Sequence, residues 1–530
     1  MTPVARWMAH ELELTSDRDR PDPYRMVEVR LHTESPSGRR ADADAFWDGA
    51  RSWRARVRPD ECGVWRWWTS SSDTTDAGLH ACEGSFDCVP YERSNALYRR
   101  GPIEVAANGR HFAHADGTSF FWLGDTAWNG VVRATVPDWE DYLSARERMG
   151  FSAIQFFSTH WRGMETDPAG ERAYTEDGGV VVNPGFFRRL DAKVEAINRH
   201  GMLASVIVVL ALRDNEPAWT WAEADLIRFA KYLRARWGAY HMAWTLGGDG
   251  DFRGERAERW RRIGRAVYGP GDLVTMHPRG WVWNADEFRD EPWYRFITYQ
   301  SGHTDALDDI RWHVGGPAPD EWRKPPARPI VNVEPNYEAH PAYASGIPFT
   351  DHDVRRAAYW SLLISPTAGV SYGHYDLWSW ATEPEPIDPV IEDQAGYDLG
   401  PWWKGLDAPG ARNMTMLRRY FESGPWWWLR PAPEILDREQ EADDPRLFVA
   451  AAQAEDRSWS VVYAPVGGRI SLVERCLPPG WSARWFDPRQ GWWLPAQPSS
   501  GTSATFEAPD GADWLLDLRS PTTSQRGISS

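Results

Sequence analysis

Between residues 100 and 400 the chain repeats one pattern eight times: a short apolar run, then in most cases a stretch with helical periodicity. The runs are Phe120–Gly124, Ser152–Phe157, Leu203–Leu210, Met242–Gly247, Leu273–Met276, Phe296–Tyr299, Pro329–Val333 and Ala368–Tyr372. Each reads as a buried strand. In 222–238, Leu226, Phe229, Leu233 and Trp237 fall on one helical face, and Gly238 follows as a stop. Eight parallel strands with intervening helices over roughly 250 residues or more predict a (β/α)₈ TIM barrel. The alternative is an open doubly wound sheet. It is disfavoured because no GxGxxG follows the first run, which leads instead into Gly124-Asp125-Thr126-Ala127-Trp128.

A barrel gathers its functional side chains just after the strands. The sequence puts polar and aromatic residues there: Asp125 and Trp128 after the first strand, His160 and Trp161 after the second, Asp214 after the third and Asp249 after the fourth. His277 follows the fifth, Gln300 and His303 the sixth, Glu334 and Tyr337 the seventh, and Tyr372 and His374 the eighth. Two stretches stand out. Met242–Asp251 ends an apolar run in Gly-Gly-Asp-Gly-Asp, and Pro329–Glu338 ends one in Val-Glu-Pro-Asn-Tyr-Glu. Two carboxylates at the ends of buried strands suit acid/base work on a sugar bond, although Asp249 as a helix cap and Glu334 as an ion-pair partner is the plainer reading of each alone.

The flanks have a different texture. Near the N-terminus Val27, Val29 and Leu31 alternate with charged residues, as do Trp53, Ala55 and Val57. That is the period of half-buried strands, and a small β-sandwich with a structural or carbohydrate-binding role follows. Residues 430–518 return to the same patterning after a helix at 411–422 and the cluster Trp426-Trp427-Trp428. The predicted division is a sandwich over 1–96, the barrel over 97–425, a second sandwich over 426–519 and a disordered tail over 520–530.

Composition narrows the partners. Lys+Arg 59 against Asp+Glu 76 gives a net charge of −17, which argues against nucleic acid and anionic membranes. The 34 tryptophans in an acidic chain fit carbohydrate binding, because indole is a good platform for the apolar face of a sugar ring. Cys62, Cys82, Cys88 and Cys476 lack CxxC spacing, and His160, His277 and His303 match no metal motif, so neither a metal nor a cofactor is expected. The N-terminus shows no apolar leader segment, and a cytoplasmic location with action on imported oligosaccharides is the expectation.

The motifs Phe121-Trp122-Leu123-Gly124-Asp125-Thr126-Ala127-Trp128, Thr245-Leu246-Gly247-Gly248-Asp249, Gln300-Ser301-Gly302-His303 and Val333-Glu334-Pro335-Asn336-Tyr337-Glu338 resemble the apiosidase-like glycoside hydrolase barrels. Arg355–Trp360 and Ser371–His374 extend the likeness, and the two flanks resemble the sandwiches often attached to such barrels. The resemblance implies that Asp249 is the general acid/base and Glu334 the nucleophile of a retaining hydrolase. It leaves His277, Gln300, His303, His374, Asp125 and His160 to bond sugar hydroxyls, and Trp128, Trp161, Tyr337 and Tyr372 to wall the pocket. The chain departs from the family pattern in having Gly250 and Asp251 after Asp249, so Asp251 is a competitor for the acid role. An inverting hydrolase and a non-catalytic carbohydrate- or matrix-binding barrel are the alternatives.

Overall fold

The computed structural model describes residues 3–159, 166–365, 368–386, 398–437, 444–499 and 504–521. Its centre is an eight-stranded parallel sheet: β1 (Trp122–Thr126), β2 (Ala153–Phe157), β3 (Leu203–Leu210), β4 (Met242–Gly250), β5 (Val274–Pro278), β6 (Ile297–Tyr299), β7 (Ile330–Asn332) and β8 (Gly369–Tyr372). The hydrogen-bonded order runs β5-β4-β3-β2-β1-β8-β7-β6. The remaining seam, between β5 and β6, is closed by one parallel bridge, Val274 to Tyr294, and by Thr298 Oγ1 donating to the Met276 carbonyl at 2.6 Å. The expected barrel is therefore the observed one. Its strands are buried along almost their whole length because helices cover them outside and side chains fill them inside.

The covering helices are α1 (Val136–Met149), α2 (Pro184–Arg199), α3 (Glu223–Trp237), α4 (Glu255–Val267), α5 (Leu307–Gly315), α6 (Asp351–Ile364) and α7 (Pro409–Glu422). In α3 the apolar face read from the sequence is the buried face, with Leu226, Phe229, Leu233 and Trp237 inside. Helix α6 begins with a capping box, in which Thr350 and Asp353 satisfy each other's backbone N–H groups.

Five-stranded and three-stranded sheets precede the barrel, and a six-stranded antiparallel sheet with a two-stranded partner follows it. Both flanks are welded to the centre. Arg236, fully buried on α3, bonds Asp191 on α2 and reaches Asp48 of the N-terminal part at 2.9 Å. Arg355 on α6 meets Asp513 of the C-terminal part through two bonds of 3.0 Å. Trp426, from the three-tryptophan cluster, is buried edge-on against Phe121 with ring centres 5.0 Å apart. Ser520 is buried and donates its N–H to Ser458, so ordered chain reaches past the expected start of the tail; residues 522–530 lie outside the described residues.

Candidate active site

Strand β4 ends irregularly. Gly248 aligns with His277 on β5 and Gly250 with the next residue, Pro278, so Asp249 is an extra residue on its strand. Such a bulge bends the strand and re-aims the side chain of the extra residue. Asp249 sits at φ 63°, a left-handed conformation that few residues other than Gly, Asn and Asp adopt. The flanking glycines are required by close approach. A Cβ on Gly248 would lie 2.4 Å from Ile207 Cγ2, and one on Gly250 would lie 2.6 Å from Phe252 Cζ.

Across the barrel, β7 delivers Glu334, which is buried with two imidazoles on it. His303 Nε2 lies 3.0 Å from Oε1 and His277 Nε2 lies 3.1 Å from Oε2. Gln300 joins this group to Asp249: its amide nitrogen is 2.8 Å from Asp249 Oδ1, 3.0 Å from His277 Nε2 and 3.3 Å from the Pro278 carbonyl. With the proton of His277 on Nε2 and donated to Glu334, the two amide hydrogens of Gln300 go to Asp249 and Pro278, and the approach of Gln300 to His277 is a close contact between two donors, not a hydrogen bond. These successive contacts keep the nearest carboxylate oxygens of Asp249 and Glu334 no more than about 9 Å apart, below the upper limit of about 9.5 Å for glycosidase carboxyl pairs.

Burial alone pushes the Glu334 carboxyl up, but hydrogen bonds and charge from His277 and His303 outweigh it and hold the group well below its ordinary value of 4.5. Glu334 therefore stays ionised through mildly acid pH. His303→Phe removes one donor and keeps a flat ring in its place. It is expected to raise the acid limb of the pH–rate profile by about one to two units, the worth of one hydrogen bond to a charged group. An acid limb that does not move would show that His303 does not set the ionisation of Glu334.

The other expected site residues divide. Trp128 is buried edge-on to His277, with ring centres 5.9 Å apart, and Tyr337 packs on His303 at 4.3 Å, so each backs one of the imidazoles that hold Glu334. Asp214 is exposed and paired with Arg256 beside an open cleft of about 940 Å³, formed by the ends of β3, β4 and β5. Asp251 lines the same cleft, where two bonds to Arg253 hold its carboxyl below the usual range. That makes it a counter-ion and a poor proton donor. His160 and Trp161 lie outside the described residues.

Three residues do not join the cluster. Asp125 is fully buried and takes bonds from Arg146 Nε and Tyr142 Oη at 2.5 and 2.7 Å, while Arg146 goes on to the carbonyl of Leu406. Tyr372 is fully buried and donates to Glu338, whose carboxylate also accepts the Gly410 N–H at the start of α7. His374 caps a short turn by accepting from Asp376 N–H, and burial pushes its imidazole down to about 3, leaving it neutral. These three hold the barrel rim together. Asp125→Ala, which strands the Arg146 charge in the core, is expected to cost about 3–5 kcal/mol of stability in a denaturant titration. A raised KM with unchanged stability would return Asp125 to the substrate.

Three residues were not singled out in the sequence. His340 stacks on His303 at 4.2 Å, and Tyr343 meets both rings. Trp281, at φ 59°, rare for a bulky residue, covers Gly302, and its buried indole N–H has no hydrogen-bond partner among the described residues. The available signal was position alone: Trp281 lies just beyond β5, and His340 and Tyr343 lie in the loop between β7 and α6.

Residues 106–428 match the family model described as "Apiosidase-like, catalytic domain". The chain belongs to this family. Residues 3–72 match a domain of unknown function, and 431–519 match the model described as "Putative collagen-binding domain of a collagenase". Among solved structures, one from Bacteroides vulgatus ATCC 8482, described as a "putative glycoside hydrolase", is 17% identical, with 98% of this chain and 100% of that chain covered and a TM-score of 0.71. A glycoside hydrolase family 5 structure from the same strain is 22% identical over 83% of this chain and 97% of that chain, with a TM-score of 0.68. At those identities the likeness is one of fold. A comparison with curated proteins finds no match. The apiosidase-like barrel is thus a glycoside-hydrolase fold with one carboxylate presented by β4 and another by β7.

Proposed function

We propose that this apiosidase-like protein hydrolyses a glycosidic bond in a plant-type or other complex glycan with retention of configuration. Glu334 attacks the anomeric carbon, and Asp249 protonates the departing oxygen and then takes a proton from the incoming water. The observation that carries this reading is the unequal environment of the two acids. Glu334 is buried and bonded by two imidazoles, which favours the ionised form a nucleophile needs, whereas Asp249 is only partly buried, on a bulge, and accepts from the neutral amide of Gln300. A pair of acids with such different surroundings fits a division into nucleophile and proton carrier. Trp128, Tyr337 and Trp281 supply the apolar walls that a sugar ring needs.

The test is hydrolysis of a panel of aryl glycosides and plant oligosaccharides, with the anomeric configuration of the first-formed product followed by NMR. Release of a sugar with its configuration kept supports the proposal. Inversion would overturn the double displacement, and binding without cleavage of any panel member would favour a carbohydrate-binding barrel.

A further inference from the structure

A second cavity, of about 330 Å³, lies on the barrel flank between α3 and the N-terminal sheets. The helix contributes Ala224, Ile227, Lys231 and Ala235, positions that share one face, and the alanines at its two ends leave the room. The facing wall is aromatic: Trp47 and Trp53 from the sheets and Tyr24 from the short turn before them. A volume of this size is at the lower end of those used for small ligands.

Tyr24 is 8% exposed, and its buried hydroxyl has no hydrogen-bond partner among the described residues. Native structures leave few such groups unsatisfied. At the rim, Lys231 and Glu28 are exposed, and among the described residues neither side chain has a hydrogen-bond or ion-pair partner. The remaining rim charges are neutralised locally, Arg25 by Asp22, Arg228 by Asp225 and Arg30 by Asp44. The cavity thus offers indole surface, one buried hydroxyl, one free donor and one free acceptor, with no excess charge. That combination suits a neutral ring bearing hydroxyl groups better than an anion or a purely apolar ligand.

We propose that this cavity is a second carbohydrate site, separate from the barrel mouth, which takes one or two neutral sugar residues against Trp47 with hydroxyls bonded to Tyr24, Lys231 and Glu28. Only the choice of ligand class rests on the reading of the chain as a glycosidase. The sugar is either part of a bound glycan or a free monosaccharide, and the two sources share this chemistry.

The test titrates the full-length Glu334→Ala protein with glucose, galactose, xylose and arabinose, and with cellobiose and xylobiose, followed by calorimetry. Saturable binding is expected. It should weaken by about tenfold or more in Trp47→Ala and in Ala224→Trp, which fills the cavity from an exposed helix position, and severalfold in Tyr24→Phe. Ala224→Trp is expected to leave hydrolysis at the barrel mouth unchanged. Disaccharides binding more tightly than monosaccharides point to a glycan chain, and equal affinities to a free sugar; both support the site. Absence of binding by every sugar overturns the proposal, as does binding that neither Trp47→Ala nor Ala224→Trp alters. If the wild-type protein cleaves nothing and Ala224→Trp still abolishes sugar binding, the glycosidase reading falls and this site stands.

Discussion

Glu334→Ala is expected to lower kcat on any cleaved glycoside by on the order of 10⁴-fold or more, about 5.5 kcal/mol of transition-state stabilisation. The loss is large because no neighbour can substitute. His277 and His303 are aimed at Glu334 itself, and Glu338 is committed to Tyr372 and the first turn of α7. Truncation also opens a space beside two imidazole donors, which suits a small anion. Added azide should therefore restore turnover and yield a glycosyl azide of inverted configuration. Loss of activity without rescue, in a protein whose thermal unfolding is unchanged, would count against Glu334 as nucleophile. Retention of activity would remove it from the mechanism altogether.

Asp249→Ala should behave differently, and the difference separates the two roles. Removal of a general acid costs about 10²- to 10⁴-fold when the leaving group needs a proton. An oligosaccharide needs one; a dinitrophenyl glycoside does not. First-step kcat/KM is therefore expected to collapse on the oligosaccharide and to survive on the activated aryl glycoside, which then accumulates a glycosyl-enzyme because no base activates water. Azide attacks that intermediate without base help and gives an azide of retained configuration, opposite to the Glu334→Ala product. Equal losses on both substrates would sink the acid/base assignment. Asp249→Asn isolates charge from conformation, because asparagine also tolerates φ near +60°.

The barrel was legible because each strand is buried on both sides and so appears as a continuous apolar run; Leu203–Leu210 has the same bounds in sequence and structure. The apolar run alone ends β4 at Gly247, whereas the strand runs to Gly250, since the bulge that carries Asp249 depends on alignment with β5, which is invisible in β4 itself. The β7 and β4 carboxylates were legible from their position after apolar runs. Asp125 sits in the same kind of position and is instead buried in an ion pair. Its partner Arg146 lies on the far end of α1, and only packing reveals that pair. The stack of His340 on His303 is likewise a product of loop folding.

The seam between α6 and the last sheet has a practical consequence. Arg355 and Asp513 are each at most 3% exposed, and Tyr359 of α6 stacks on Tyr463 at 4.9 Å. A fragment ended after Trp428 would bare an arginine and a run of aromatic rings that now never meet water, which invites aggregation. The last sheet is accordingly outer casing for the barrel, and anyone exchanging it between relatives should move α6 with it.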